Sequence, residues 1–326
     1  MRAVVTGAAG FIGSHLIEAL VARGDEVVGI ERPGAGRGWV RGLPIVFRDI
    51  GVDQERRLAE AFEGAAVVFH LAGLTCARRP ADYYAVNTEG TARVFRAAAS
   101  LGAGAPRVIL ASSLAAVGPC RGADALDSET VPYPLSHYGR SKLLAETVAH
   151  AFSARVPTTV LRLAAVYGPR ERGILTLFRL VRWGVALTIG GWDRELSLLY
   201  VRDLVQALLA AATAEAAIGR TYCVAHPEPV SWRDFARAVG GALGRAPALI
   251  SVPALVGRVL GLAAEIGARA RRTAAILNCD KVREIVAARW VCDPTRVMAD
   301  LGFRPAYAVG RGVAETARWY AEAGWL

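Results

Sequence analysis

Lysine is almost missing from this basic chain. Its 326 residues include 39 lysines and arginines, and of these only Lys142 and Lys281 are lysines. Because arginine supplies positive charge nearly everywhere, a retained lysine suggests a role that needs a compact ammonium rather than a planar guanidinium fork. Lys142 lies four residues after Tyr138, a spacing that places both side chains on the same face of a helix. This pair is the first indication of chemistry.

Cysteine is also scarce and follows no pattern. The five cysteines are odd in number, and none of their spacings matches a metal site or a disulfide framework. We therefore predict no bound metal. The chain runs from Met1 directly into the apolar run Ala3-Val4-Val5, with no signal-peptide pattern, so a reducing cytoplasm is the expected compartment.

An excess of acidic residues is absent as well, since the formal net charge is +10. The arginines are scattered and form no stripe interleaved with aromatic residues, so nucleic-acid binding is not predicted. The densest basic cluster is Arg269, Arg271 and Arg272. A basic surface equally suits the phosphates of a cofactor or an anionic substrate.

A long apolar segment covers residues 248–268, but it does not have the pattern of a membrane span. Pro253 and Gly257 interrupt it, and Arg258 and Glu265 place charges within it. The ordinary interpretation is a buried or oligomer-facing helix. The alternative is an apolar flap that covers an apolar substrate or makes a peripheral contact with a membrane surface.

Short apolar runs alternate with helical patterns in the first half, which predicts an α/β fold with a doubly wound parallel sheet. The predicted strands are residues 3–6, 26–30, 45–47, 67–70, 107–111 and 158–161, and the predicted helices are residues 12–23, 54–63, 87–101 and 141–155. After about Pro169 helices dominate, with short extended runs at 221–224 and 290–292. We predict a sheet domain at residues 1–168 and a smaller, mostly helical substrate lobe at 169–326, interleaved with the sheet domain.

A glycine-rich turn follows the first strand. Gly7, Gly10 and Gly13 are spaced three and three, with Phe11 and Ile12 between the last two, and a helix follows. Glycines in this position let the backbone approach a pyrophosphate, which then lies at the positive end of the helix. The context of strand, glycine turn and helix is the one that dinucleotide binding requires, so a Rossmann-type cofactor site is predicted.

The ends of the second and third strands suggest which dinucleotide binds. Glu31 ends the second strand, where a carboxylate accepts hydrogen bonds from the adenosine ribose and repels a 2′-phosphate. Arg32 follows and would instead pair with that phosphate, so we predict NAD and leave NADP open. Asp49 and Ile50, after the third strand, are placed to touch the adenine; the alternative for Asp49 is a helix N-cap.

Together these motifs resemble the extended short-chain dehydrogenase/reductase family, the NAD-dependent epimerase/dehydratase group, over essentially the whole chain. The matching segments are Gly7 with Gly10 and Gly13, His70-Leu71-Ala72-Gly73, Asn87, Ser112 to Gly118, Tyr138 with Lys142, Val166 to Arg170, and Tyr200 to Leu204. The implied cofactor-binding residues are Gly7, Gly10, Phe11, Ile12, Gly13, Glu31, Arg32, Asp49, Ile50, Leu71, Ala72, Gly73, Asn87, Ala111, Tyr138 and Lys142.

The resemblance also implies three catalytic residues: Ser113, Tyr138 and Lys142. Tyrosine has an ordinary pKa near 10, too high for a base at neutral pH, and a nearby ammonium favours the phenolate. Tyr138 would exchange a proton with a substrate hydroxyl or carbonyl, and Ser113 would orient the same oxygen. Bound cofactor takes or gives the hydride.

Departures from the family pattern narrow the range of reactions that the chain is expected to catalyse. Sugar-nucleotide dehydratases of this family carry an acidic pair directly after the catalytic hydroxyl residue, where this chain has Leu114 and Ala115. Nucleotide-sugar epimerases usually hold the substrate diphosphate with an asparagine and an arginine at the positions of Ala165 and Leu196, and Arg194 is two residues away. A diphosphate bound without charged partners costs several kcal/mol.

The chain therefore looks more like the branch that resembles 3β-hydroxysteroid dehydrogenases and dihydroflavonol reductases. We predict an NAD(P)-dependent oxidoreductase that interconverts a secondary alcohol and a ketone on a hydrophobic small molecule in an apolar pocket. The alternatives are a nucleotide-sugar 4-epimerase with atypical diphosphate anchors and, from another class, a non-catalytic NAD(P)-binding regulatory protein. Family members often pair through two helices, so a homodimer through residues 87–101 and 141–155 is expected.

Overall fold

The computed structural model describes residues 1–271, 273, 278–287 and 289–326. Arg272, with the side chain of Arg269, lies outside the described residues, so the predicted basic cluster is described only at Arg271.

The secondary structure consists of alternating strands and helices, with a short π-helical segment at Tyr84–Glu89. The strands are β1 (Arg2–Thr6), β2 (Glu26–Glu31), β3 (Val46–Asp49), β4 (Val67–His70), β5 (Arg107–Ser113), β6 (Thr158–Leu163), β7 (Ala165–Tyr167), β8 (Val185–Ile189), β9 (Glu195–Leu196), β10 (Leu198–Tyr200), β11 (Arg220–Val224), β12 (Val230–Ser231), β13 (Ala248–Val252) and β14 (Arg289–Trp290). The helices are α1 (Phe11–Ala22), α2 (Glu55–Phe62), α3 (Pro80–Tyr83), α4 (Gly90–Ala99), α5 (His137–Ala151), α6 (Leu175–Arg182), α7 (Val201–Thr213), α8 (Trp232–Ala242), α9 (Ala254–Ala270), α10 (Cys279–Val286), α11 (Thr295–Leu301) and α12 (Val309–Glu322).

Seven parallel strands form the central sheet, in the order β11-β6-β5-β4-β1-β2-β3. Successive side chains of a strand point to opposite faces. Ala3 and Val5 of β1 accordingly pack with α1 and α7 on one face, while Val4 packs with α2, α4 and α5 on the other. Burial on both faces explains the continuous apolar runs of the sequence, and the predicted doubly wound sheet is confirmed.

The part of the chain after Pro169 contributes a strand and a helix to the sheet domain. The run at 221–224 was predicted in the substrate lobe, but it belongs to β11, which pairs with β6 at the edge of the central sheet. Helix α7 packs against α1 on the sheet. The chain thus returns to the sheet after it has entered the second lobe.

The second lobe has its own apolar core and three small sheets. Tyr167, Phe178, Tyr200, Phe235 and Tyr320 pack together between α6, α8 and α12. The small sheets are β7 with β10, β8 with β13, and β9 between β12 and β14.

The apolar segment 248–268 is not a buried helix, and the other part of its ordinary interpretation, an oligomer-facing helix, stays a prediction. It forms β13 and most of α9, and six large apolar side chains of α9 are exposed to solvent. Among the described residues, no helix is long and apolar enough to cross a membrane.

Candidate active site

The glycine turn lies between β1 and α1, with its backbone packed too tightly for any side chain. Gly7 has a φ of +72°, and a Cβ there would lie 2.9 Å from the backbone nitrogen of Ala72. A Cβ on Gly13 would collide with the carbonyl oxygen of Gly7. Gly10 precedes α1 and gives it no side-chain cap, so backbone N–H groups at the helix start stay available to an anion. These features fit a dinucleotide pyrophosphate.

Phe11 and Ile12 open α1 and fix its orientation. The Phe11 ring contacts the His15 ring edge to face, at 5.9 Å between centroids. Ile12, half-buried, packs on the core under the sheet. Both residues position the glycine turn from the helix side.

The carboxylate of Glu31 lies beside the glycine turn at the end of β2. Its Oε2 accepts a hydrogen bond from the backbone nitrogen of Ala9 at 3.2 Å, and its Oε1 accepts one from Arg32 at 3.1 Å. Arg32 is exposed and makes no ion pair within the described part of the chain. A carboxylate held here suits ribose hydroxyls.

The residues after β3 are near this same edge. Ile50 is buried and donates its backbone N–H to the carbonyl oxygen of Glu31 at 2.9 Å. Asp49 is exposed at the end of β3. Because α2 starts at Glu55 and its N-cap is Gln54, the alternative role of Asp49 as a helix N-cap is wrong.

The loop after β4 holds Leu71, Ala72 and Gly73 against the turn, and Asn87 fixes that loop. Asn87 is 1% exposed; its Oδ1 accepts from the backbone nitrogen of Leu74 at 2.8 Å and its Nδ2 donates to Ser141 Oγ at 2.9 Å. Its amide is thus occupied in joining this loop to α5. A Cβ on Gly73 would lie 3.1 Å from Asn87 Oδ1, which leaves little room for a side chain.

Ser113 and Tyr138 meet at the end of β5. Ser136 caps α5 by accepting from the backbone nitrogen of Gly139 at 2.9 Å, which starts the helix at His137, four residues before the predicted start. Tyr138 therefore lies in the first turn of α5. Its phenol is hydrogen-bonded to the Ser113 hydroxyl, which lowers its pKa, but burial outweighs this and raises the pKa to about 12.

Lys142 lies one turn further along α5 and is 7% exposed. Its Nζ donates to the carbonyl oxygen of Ala111 at 2.5 Å, and a Cβ on Gly73 would lie 3.8 Å from Nζ. Burial lowers the pKa of Lys142 to about 8, partly offset by Glu146. Lys142 is not among the charges that shift the pKa of Tyr138. The predicted lowering of the Tyr138 pKa by this ammonium is not observed, because burial raises that pKa instead.

Helix α10 of the second lobe covers the start of α5, and no sequence motif revealed this. Asp280 Oδ2 accepts from the backbone nitrogen of His137 at 2.8 Å, and Glu284 Oε1 accepts from Ser136 Oγ at 2.5 Å. The charge of Glu284 contributes to the raised pKa of Tyr138. Asp280 and Glu284 are four apart, which gives them one helix face; that spacing was the only signal in the sequence.

Replacing Glu284 by glutamine should lower the pKa of Tyr138, because the negative charge that disfavours the phenolate is removed. In its predicted role as a base, Tyr138 would make activity rise with pH as the phenolate forms, so the half-maximal point of the profile should move to lower pH. The pH–rate profile of kcat/KM measures this shift. Asp280→Asn is the matched control, since Asp280 is on the same helix but does not act on the pKa of Tyr138. An unchanged profile for Glu284→Gln would contradict the assignment.

A cavity of about 230 Å³ opens beside Tyr83 and His137. The ring of Tyr83, which lines the cavity, lies 6.1 Å from that of Tyr138. Its polar lining residues include Arg78, Arg79, His137, Glu265, Asp280 and Arg283. Its wall is mixed, with polar and apolar surface in nearly equal parts and α9 and α10 along one side, and the apolar pocket stays a prediction.

The two expected diphosphate positions hold no polar side chain. Ala165 is exposed at the start of β7, and Leu196 is half-buried in β9. Arg194 is turned toward its own loop: its Nη2 donates to Thr188 Oγ1 and its Nε to the Gly191 carbonyl, both at 2.7 Å. Its Nη1 is buried and has no hydrogen-bond partner among the described residues.

Known proteins resemble the chain along its whole length. Ceramide reductase of Caulobacter vibrioides is 28% identical over 324 residues, covering 99% of this chain and 95% of that protein. UDP-glucose 4-epimerase of Mycolicibacterium smegmatis is 27% identical, covering 98% of each. The solved structure of MoeE5 with UDP-glucuronic acid and NAD is 26% identical, covers 99% of this chain and 100% of that one, and has a TM-score of 0.78.

A match to a protein-family model identifies the family of this chain and the cofactor that the family uses. The model of the NAD dependent epimerase/dehydratase family matches residues 3–225, which include the glycine turn, Ser113, Tyr138 and Lys142. The predicted family is confirmed, and with it an enzyme family that uses NAD. The chain belongs to the NAD dependent epimerase/dehydratase family.

Proposed function

We propose that this protein is an NAD-dependent oxidoreductase that interconverts a secondary alcohol and a ketone on a hydrophobic small molecule. Among such molecules an amphiphilic lipid fits best. The observation that carries the proposal is the apolar character of Ala165 and Leu196, together with the side chain of Arg194, which is bonded to Thr188 and Gly191. A sugar-nucleotide diphosphate would meet no free cation at these positions.

In the oxidation direction, the proposed catalytic residues have the following roles. Bound NAD supplies the hydride acceptor. The Tyr138 phenolate takes the proton of the substrate hydroxyl, the hydride leaves the carbinol carbon, and the C–O bond becomes a carbonyl. Ser113, already hydrogen-bonded to the phenol, orients the same oxygen. Lys142 lies beside Gly73 and Ala111, where its ammonium is placed to hold a cofactor ribose. Reduction runs through the same contacts in reverse.

Two features support a lipid over a compact apolar ring system. The cavity near Tyr138 combines charged side chains with apolar surface, which suits an amphiphile. The ceramide reductase relative is named for a lipid of this build.

A nucleotide-sugar 4-epimerase is the second candidate. The M. smegmatis relative carries that activity in its name, and Nη1 of Arg194 is buried with no hydrogen-bond partner in the described chain. A rearranged 190–194 loop would free this guanidinium for a diphosphate. The observed bonds of Arg194 favour the oxidoreductase.

Titration calorimetry with UDP-glucose separates the two candidates at the step of binding. The NAD-loaded protein is expected to give only heats of dilution, because a diphosphate would be desolvated without a charged partner. Saturable binding of UDP-glucose would overturn the proposal. A separate titration of NAD into the cofactor-free protein verifies that the cofactor site is intact.

We also propose an oligomeric state and a cellular compartment for this protein. We propose a homodimer through α4 and α5, supported by Leu144, which is 44% exposed on α5. The cytoplasm is the proposed compartment, since the spacings of the cysteines match no disulfide framework.

A further inference from the structure

In helix α9 the small residues face the protein and the large apolar residues face solvent, which is the reverse of the usual arrangement. Its small residues face the protein: a Cβ on Gly257 would collide with Ile189, and one on Gly261 would lie 3.1 Å from Val282. Its large apolar side chains face outward, with exposed fractions between 45% and 72%. They are Leu255, Val256, Val259, Leu260, Leu262 and Ile266. Contiguous apolar surface of this kind marks an interaction site.

The apolar surface continues from α9 onto the neighbouring β8–β13 ribbon. Leu187 pairs with Ile250, and both are exposed. Alternation along a strand places Leu187 on the same face as Ile189, which packs against α9. Trp183, 84% exposed, directly precedes this ribbon. We call this combined surface, α9 with Leu187, Ile250 and Trp183, the α9 face.

Exposed arginines lie at three positions near the α9 face. Arg182, Arg258 and Arg271 are exposed, and in the described part of the chain no carboxylate lies within ion-pair distance of them. The one acidic residue of α9, Glu265, is turned inward and accepts from the backbone nitrogen of Cys279 at 2.8 Å. An apolar face bordered by arginines is complementary to an anionic lipid surface.

We propose that the α9 face binds the surface of an anionic lipid bilayer, with α9 lying in the plane of the interface. Ala268 and Glu265, on the inner side of α9, line the cavity beside Tyr138, so binding would bring the entrance of the active site to the membrane. A second copy of this chain fits less well, because symmetric pairing of the α9 face would set like-charged arginines against each other. The inference goes beyond the proposed reaction and is tested without turnover.

Flotation with vesicles provides the test. The NAD-loaded protein is mixed with vesicles of phosphatidylcholine alone or of equal parts phosphatidylcholine and phosphatidylglycerol. Binding is expected only to the second kind and is expected to weaken with added salt. The substitution Leu262→Asp should weaken binding about tenfold or more, and Arg258→Gln about fivefold. All these side chains are exposed, so folding should be unaffected.

Ile218→Asp is the matched control, since Ile218 is exposed on a loop before β11, away from α9. It should bind as tightly as the unchanged protein. Failure of the unchanged protein to bind anionic vesicles overturns the proposal, as does unchanged binding by Leu262→Asp. A dimer that Leu262→Asp converts to monomer, without vesicle binding, would assign the α9 face to a second copy and also overturn it. Because vesicle binding is independent of the reaction, its failure is distinct from failure of the proposed function.

Discussion

Replacing Tyr138 by phenylalanine should lower kcat by about 10²- to 10⁴-fold, the usual contribution of a positioned acid or base. The phenol is the group hydrogen-bonded to Ser113 at the end of β5, and phenylalanine removes only its oxygen. The ring would still fill its place beside Tyr83. Affinity for NAD should change little, because the glycine turn and Glu31 are untouched. Steady-state kinetics and NAD titration measure the two quantities separately.

The control for this substitution is Tyr133→Phe. Tyr133 is exposed and stacks with the guanidinium of Arg121 at 4.4 Å, outside the catalytic group. It should retain nearly full turnover. If Tyr138→Phe also retains turnover, the tyrosine is not the proton-exchanging group, and the non-catalytic NAD-binding protein becomes the better description.

Replacing Lys142 by arginine should lower turnover about a hundredfold and should also weaken NAD binding. The charge is kept, but the ammonium sits in a buried space bounded by Ala111 and Gly73 that is too small for a guanidinium. Forcing a larger group into a packed site typically costs about 1–3 kcal/mol, and the donor aimed at the ribose is displaced. Circular dichroism verifies the fold, while NAD titration and kcat report the two losses.

Lys281→Arg is the matched control, because it makes the same substitution at the other lysine of the chain. Lys281 is exposed and pairs with Glu284 at 3.1 Å, and arginine can keep that ion pair. Lys281→Arg should therefore behave as the unchanged protein. Equal, near-full activity of both variants would show that Lys142 has no role requiring a compact ammonium.

The sheet domain could be predicted from sequence because its patterns are local. The glycines after β1 and the apolar runs of β1 to β6 have few alternative interpretations, and the structure confirms the sheet. Strand β11 was assigned to the wrong part of the fold. Its pairing with β6 depends on a contact between residues about sixty apart, which periodicity along one strand does not encode.

The residues of the candidate site that belong to a sequence motif could be predicted. The residues that the second lobe contributes could not. Ser113, Tyr138 and Lys142 have fixed spacing in the sequence, whereas Glu284 reaches Ser136 across 148 residues. The sequence left open whether α9 is buried or exposed, and the reason is physical. An apolar sequence indicates burial on average, but here glycine and alanine take the inward positions and leave the large side chains outside.

The central claim is net hydride transfer on a hydrophobic substrate, and the stoichiometry of cofactor use tests it most directly. Long-chain keto lipids, sterol ketones and flavonoid ketones are incubated with NADH, in parallel with UDP-glucose, while the absorbance of the reduced nicotinamide and the products are measured. The account predicts that at least one hydrophobic ketone is reduced with one NADH consumed per alcohol formed, and that UDP-glucose is unchanged. Epimerisation of UDP-glucose with no net change in NADH, and no reduction of any hydrophobic ketone, would contradict it.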